Sequence, residues 1–421
     1  MAKESFRFIH ASDFHLERPM HDISDLPDHL KEALVEAPWK AAESVFEHAI
    51  LENVDFIVLA GDLLNLSAAG AQGAAFLLDQ FENLRQRGIQ VFWAGGELDA
   101  PELWPEAVKL PDNVHMFSSD EVEAVVYRRN QVPLATILGR SSDGSETVKA
   151  VEFAREPDEN YVIAVAHGRA DSETLRSERV DYWALGGKHQ ADILQTEEPI
   201  IRYCGSPQAR ELSEEGAHGF VLVDVDAQRC IQVHSIDADV FRYSEQDIDA
   251  DDMAMGRDVR QVLAKRVARL QSEASGRNLL VKWRVQIDME NASMVGPSAL
   301  EELLTWLRRE YGQGSPACWS TEIEILPPKA LPSKWKEEDT ILGDFLRIAA
   351  EQRKEDKPLN LKPMIDAETP GTSVWQAALS ISNTSSQSMT LDKSTLLGVD
   401  LLRGHQVDLM ATTRRFGGSE K

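Results

Sequence analysis

The sequence predicts an α/β layered domain followed by a smaller α+β region. Short runs rich in Ile, Val and Phe end at Gly or Asp, stretches with helical spacing separate them, and the composition changes near residue 240. Phe6–Ser12 (FRFIHAS), Asp55–Gly61 (DFIVLAG) and Ile89–Gly95 (IQVFWAG) read as strands. Between the first two, Leu34, Val35, Ala42, Val45, Phe46, Ala49 and Ile50 recur at helical spacing, which predicts a helix from about Leu30 to Glu52. A second helix carries Phe76, Leu77, Phe81 and Leu84, with Gly88 as its stop. Further strands are expected at 134–139, 161–167, 182–187, 219–226 and 231–236. That late, strand-rich portion fits a second sheet packed on the first.

Beyond residue 240 an acidic, polar stretch (244–258) leads into a helix from Arg257 to Ala274. A strand is expected over 279–290 and an amphipathic helix over 298–312. The proline-bearing stretch 322–338 reads as a linker. A helix around Ile341–Ala349, a Ser/Thr-rich stretch at 380–390 and the apolar run 396–404 follow. The expected domains are therefore 1–240, 241–326 and 327–421.

The chain has 421 residues, with 44 Lys and Arg against 70 Asp and Glu, a formal charge of −26. Such a field repels polyanions, so a role on nucleic acid requires a local cationic site or a basic partner. The longest apolar runs, such as 56–60 and 162–166, fall short of the ~18 residues of a membrane span. With no secretory pattern at Met1–His15, a cytoplasmic location is expected. Cys204, Cys230 and Cys318 form no CxxC pair and read as packing or indifferent thiols.

Four strand ends carry metal-type side chains: Ser12-Asp13-Phe14-His15, Gly61-Asp62, His167-Gly168 and Gly186-Gly187-Lys188-His189. Loops at the carboxyl ends of strands converge on one crevice in α/β folds. Carboxylate and imidazole suit manganese, iron or zinc. Asp13 and His15, two residues apart just past a strand, can grip one ion, and Asp62 in a tight turn can reach inward to bridge two. Lys188 reads as a surface lysine with phosphate contact as the alternative. His10 reads as a core histidine with one hydrogen bond, and Trp93 and Trp183 as core residues rather than base-stacking platforms.

The order SDFH, GDLLN, GGELD, AHG and GGKH, followed by YCGSPQAREL, resembles calcineurin-like metallophosphoesterases over residues 6–240. The likeness is to their bacterial DNA-repair exonuclease branch, the SbcD- and YhaO-like proteins. This resemblance implies a four-layer sandwich with a C-terminal α+β capping region and metal-dependent hydrolysis of phosphodiester bonds at DNA ends. It implies a first metal held by Asp13, His15, Asp62 and His189. The second metal would use Asp62 as bridge and His167, with Glu97 standing where an Asn is usual and Gly187 where a His is usual. Glu97 could hold the second cation or turn to solvent. Leu98 occupies the position of the histidine that steers the phosphate and protonates the leaving group, so no residue is assigned as general acid. One complete manganese site, an impaired second site and slowed turnover are expected. An SMC-like ATPase docked on the C-terminal helices is the implied partner, and a homodimer is a further assembly. The alternatives are a metal-binding scaffold subunit of such a complex and a phosphoesterase for small nucleotides.

Overall fold

Period-two alternation of apolar side chains decides the layering. In this computed structural model the described residues are 4–21, 23, 25–155, 160–248, 259–286, 297–326, 333–354, 391, 394–395, 397–399 and 401–403. The strands β1 (Phe6–Ala11), β2 (Phe56–Leu59), β3 (Gln90–Trp93) and β4 (Val114–Met116) run parallel in a six-stranded sheet. β11 (Gly219–Val225) and β12 (Ile231–Asp237) complete it antiparallel, in the order β12-β11-β1-β2-β3-β4.

The second sheet has the order β5-β6-β7-β8-β10-β9. Its strands are β5 (Glu123–Arg129), β6 (Val132–Gly139), β7 (Tyr161–His167), β8 (Tyr182–Gly186), β9 (Asp192–Gln195) and β10 (Ile200–Tyr203). Its central strands are parallel and its edges antiparallel.

Each central strand feeds two cores because successive side chains point to opposite faces. Phe8, Phe56, Val58 and Phe92 pack with Ile137, Tyr161, Ile163, Val165 and Tyr182 between the sheets. Their neighbours Ile9, Ala11, Ile57, Leu59, Val91 and Trp93 face outward onto the helices Asp28–Leu51 and Leu66–Gln86. On the far side, Val162, Ala164, Ala166, Trp183 and Leu185 pack with Val148, Phe153 and Leu175. Helix, sheet, sheet and short helices make four layers, and Trp93 and Trp183 are buried in the two outer cores.

The helices start and end within a few residues of the expected bounds, with two additions. Asp28–Leu51 tolerates Pro38 in its interior, and Leu66–Gln86 carries a kink at Gly70. The stretch 322–338 is not the expected linker throughout. Glu322–Leu326 is the end of a strand, Cys318–Leu326, and Ser333–Glu337 is a short helix. That strand joins Phe241–Ile248 and Asn278–Gln286 in a three-stranded sheet. Its Trp319 is buried beside Leu280 and Phe241, so tertiary burial outweighs the nearby prolines.

The chain divides into two compact units. The first holds Met1–Glu245, Val267–Val281 and Tyr311–Thr321; the second holds Gln246–Arg266, Lys282–Glu310 and Glu322–Lys421. The expected capping stretch 241–326 is thus divided between them. Within the second unit, Trp335, Leu346 and Val399 form a small core, and the Arg260 guanidinium lies 5.4 Å from the centre of the Trp306 ring. The expected Ser/Thr-rich stretch 380–390 lies outside the described residues, as does part of the apolar run 396–404. Among the described residues no helix is long and apolar enough to cross a membrane.

His10 makes two hydrogen bonds rather than one, to the Tyr182 hydroxyl at 3.1 Å and the Leu185 carbonyl at 3.2 Å. Burial, reinforced by the Arg202 charge, pushes its pKa down to about 3, so the ring is neutral in the fold. Between pH 6.5 and 3 the unfolded chain therefore takes up a proton that the folded chain does not. Stability falls as pH drops through that window, with a contribution of up to ~1.4 kcal/mol per pH unit from this one group. His10→Gln is expected to flatten the pH dependence there, read from urea denaturation at several pH values. Phe56, fully buried and ringed by Phe6, Phe8, Phe92 and Tyr127, ties the two sheets. Phe56→Ala should cost about 3–5 kcal/mol, seen as a lower urea midpoint at unchanged m.

Candidate metal centre

The strand ladder of the first sheet runs on past its strands into the site. Ala60 N–H donates to the Ala11 carbonyl at 2.9 Å, Asp13 N–H to the Gly61 carbonyl at 2.9 Å and His15 N–H to the Asp62 carbonyl at 3.1 Å. The two turns that carry the ligands are thereby zipped together. Within them Asp13, His15 and Asp62 all adopt left-handed backbone, with φ of 56°, 42° and 54°. L-residues with side chains pay for that conformation, and such strain gathers at functional sites.

Asp99, the last residue of the GGELD motif, pins the second turn. Its buried carboxylate accepts from Asp62 N at 2.9 Å, Leu63 N at 2.7 Å and Gly96 N at 2.6 Å. Burial, then the charge of Asp62, pushes the Asp99 pKa up to about 6. Gly96 is required for close approach, since a Cβ there would lie 2.3 Å from Asp62 Oδ1. The Leu98 N–H donates to that same oxygen at 3.0 Å.

Five of the six expected ligands meet in two overlapping groups. Donor atoms of Asp13, His15 and His189 lie within 4.8 Å of one another, as do those of Asp13, Asp62 and His167. Asp13, rather than Asp62, belongs to both. Glu97 is exposed and belongs to neither group among the described residues. Gly187 contributes its backbone, donating to Asp13 Oδ1 and Oδ2 at 3.1 and 3.0 Å, while the Ser12 hydroxyl donates to Asp13 Oδ2.

The imidazoles are oriented as ligands. His167 Nδ1 faces the Ala60 carbonyl at 2.8 Å, which fixes its proton there and leaves Nε2 turned to Asp62 Oδ2 at 3.4 Å. Burial disfavours the charge on both partners, yet their mutual attraction outweighs it: Asp62 is lowered and His167 raised. His189 Nδ1 bonds the Glu214 carboxylate, and His15 Nδ1 lies 3.5 Å from Glu17 Oε1. The Glu214 hydrogen bond raises the His189 pKa. Glu214 is pulled down to about 2, because its bonds to His189 and the Arg210 N–H outweigh burial.

With both Nδ1 atoms directed at carboxylates, the Nε2 atoms of His15 and His189 face each other at 3.0 Å. Two lone pairs at that distance repel unless a cation or proton lies between them. Nitrogens ~2.0–2.1 Å from one metal ion and adjacent in its shell sit roughly 3 Å apart, so the donor set fits a divalent transition metal.

Glu17, Asp99, Glu214 and Arg210 went unread in the sequence as parts of the site. Arg210, the arginine of GSPQAR, is buried and donates to the carbonyls of Phe14 and Gln208, the latter at 2.6 Å, with His15 O at 3.4 Å. Burial lowers its pKa to about 10, so it remains a cation that clamps the SDFH turn. Asp99 and Arg210 stand inside the motifs and Glu17 and Glu214 two residues beyond one, with no other local signal to mark them. Cys204 is buried with Sγ 3.1 Å from the Ser12 hydroxyl; burial pushes its thiol up to about 12, so it packs rather than reacts. His218 is buried and bonded to Ser206 and to the Glu214 carbonyl.

The model of the calcineurin-like phosphoesterase family matches residues 6–222, over half of the chain. The chain belongs to that family. The family is one of metal-dependent phosphoester hydrolases, and the two donor groups described above could hold a divalent cation. It is similar to YhaO, an uncharacterised metallophosphoesterase of Bacillus subtilis (strain 168), at 33% identity over 234 residues, 52% of this chain and 57% of YhaO. The matched region thus spans little more than half the length of that relative. Among solved structures, TT1561 of Thermus thermophilus aligns with a TM-score of 0.32 at 12% identity, covering 55% of this chain and 99% of TT1561. A dimetal phosphatase from Danio rerio aligns with a TM-score of 0.31 at 13% identity, covering 52% of this chain and 92% of that protein.

Carboxylates that orient metal-binding imidazoles raise the basicity of the ligand and typically carry 10–100-fold in metal affinity. Glu214→Gln keeps the shape and removes the charge. It should weaken binding of a divalent transition metal about 10–100-fold in calorimetric titration. An unchanged affinity would mean that His189 needs no carboxylate to act as ligand.

Proposed function

We propose that this metallophosphoesterase is a manganese-dependent phosphodiesterase acting on nucleic-acid strands, DNA ends above all, with turnover slowed at one position. The observation that carries the reading is the pair of ligand groups sharing Asp13. A divalent cation held there would supply Lewis acidity toward a phosphoryl oxygen. Asp13 and Asp62 supply negative charge, and the backbone N–H groups of Gly187 and Leu98 hold those carboxylates in place. His15, His167 and His189 present Nε2, each with Nδ1 committed to an oxygen.

Slowed turnover is inferred from Leu98, which stands where the family resemblance places a proton-donating histidine. A hydrocarbon side chain can neither steer a phosphate nor protonate a leaving alkoxide. Loss of a positioned general acid typically costs 10²–10⁴-fold in rate. An SMC-like ATPase remains the proposed partner, since a basic partner would offset the charge of −26. A second reading, a metal-binding scaffold without turnover, draws on Leu98 together with the exposure of Glu97.

Hydrolysis of bis(p-nitrophenyl) phosphate with manganese separates the two. The phosphodiesterase reading expects slow hydrolysis, abolished in Asp62→Ala and raised about 10²–10⁴-fold in Leu98→His. Leu98→His is the cleaner restoration: Gly187 has a φ of +99°, and a side chain there adds strain of about 1–3 kcal/mol. Metal-dependent thermal stabilisation with no turnover in either the natural chain or Leu98→His would favour the scaffold.

A further inference from the structure

Two cations flank the metal ligands on loops that one tyrosine ties together. Arg169 follows His167 by two residues and Lys188 immediately precedes His189, so each is anchored within two Cα steps of ~3.8 Å of a ligand. The Tyr203 hydroxyl donates to the Gly168 carbonyl at 2.9 Å and accepts from the Ala170 N–H at 2.8 Å, clasping the backbone on both sides of Arg169. The Lys188 ammonium lies 4.6 Å from the centre of the same Tyr203 ring. The Arg169 loop is fixed from its other side as well, because Arg169 N donates to the Glu146 carbonyl at 2.7 Å and its own carbonyl accepts from Val148 N at 2.8 Å. The backbone is thus held while the charged ends stay in solvent.

Both side chains are weakly committed. Arg169 is 82% exposed and its guanidinium lies 3.9 Å from an equally exposed Glu146 carboxylate. Lys188 is 43% exposed and pairs with Asp192 at 2.5 Å. Exposed pairs of this kind are worth about 0–1 kcal/mol, so exchanging either carboxylate for a phosphate costs little. The position matters because the chain carries −26, so a polyanion needs cationic groups local to the reacting centre.

We propose that Arg169 and Lys188 form a phosphate-binding rim beside the metal centre that takes the backbone phosphates next to the scissile one, making a nucleic-acid strand a better substrate than an isolated diester. This inference rests on the phosphodiesterase reading above and supplies its substrate preference. Neither residue reacts; each positions the strand.

The test has two arms on the full chain. In the first, anisotropy of a fluorescein-labelled single-stranded oligothymidylate is followed over a salt series with EDTA present, so that no hydrolysis occurs. Arg169→Gln with Lys188→Gln should weaken binding and reduce the slope of log K against log salt by about 1.4, or ~0.7 for each cation on a single strand. The control is Arg87→Gln with Lys109→Gln, two exposed cations remote in sequence from the ligands, which changes the net charge equally. In the second arm, the ratio of kcat/KM on the oligonucleotide to that on bis(p-nitrophenyl) phosphate should fall at least about tenfold in the rim variant, through KM on the oligonucleotide.

If rim and control variants lose the same affinity and slope, or the natural chain binds no oligonucleotide, the rim is overturned. If the small diester is cleaved while the rim variant keeps its salt slope, the rim fails and the phosphodiesterase reading stands. A lost slope with no hydrolysis of either substrate supports the rim as a phosphate-binding surface and overturns the catalytic reading alone.

Discussion

The carboxylate of Asp99, sealed in the fold and holding three backbone N–H groups, is the constraint on which the metal centre depends. It fixes the turn that presents Asp62, and that turn is zipped by main-chain hydrogen bonds to the one presenting Asp13 and His15. Three left-handed residues are tolerated because these bonds outweigh the strain of each. On the opposite side Arg210 clamps the carbonyls of the first turn. Neither Asp99 nor Arg210 is among the clustered metal-ligand donors. Both decide where the ligands are.

Charge is distributed with the same economy. The protein as a whole is strongly acidic, and its centre concentrates further carboxylates around three imidazoles. Such a cluster is stable only with compensating cations, whether protons on the imidazoles or divalent metal. The raised pKa values of His167 and His189 express that demand from the protein's side. In the inter-sheet core the opposite solution is used. His10 is held neutral by burial and by the Arg202 charge, while its ring bonds the Tyr182 hydroxyl and the Leu185 carbonyl.

Glu97, Leu98 and Gly187 lie in two loops beside the ligand groups. Glu97 and Leu98 lie between Gly96 and Asp99, both of which are fixed by close packing against the Asp62 turn. Gly187 uses its N–H on Asp13. These loops are held by the backbone N–H groups of Gly96, Leu98 and Gly187 and by the Asp99 carboxylate, so their shape does not depend on the side chains of Glu97 and Leu98.

By itself the sequence determined the layered α/β class, the core strands and which Asp and His side chains stand at strand ends, because those signals are local. Alternation in Phe6–Ala11 and Phe56–Leu59 sorts side chains to two faces whatever the rest of the chain does, and a strand end followed by Asp or His announces itself. Only the tertiary structure decided which of those donor atoms come together, since Asp13 reaches His189 and His167 across loops more than 150 positions apart. It also decided the carboxylates behind the histidines, Glu17 and Glu214, and the burial that turns Cys318–Leu326 into a strand despite its prolines nearby. Those outcomes depend on distances between segments remote in sequence, which no local pattern encodes.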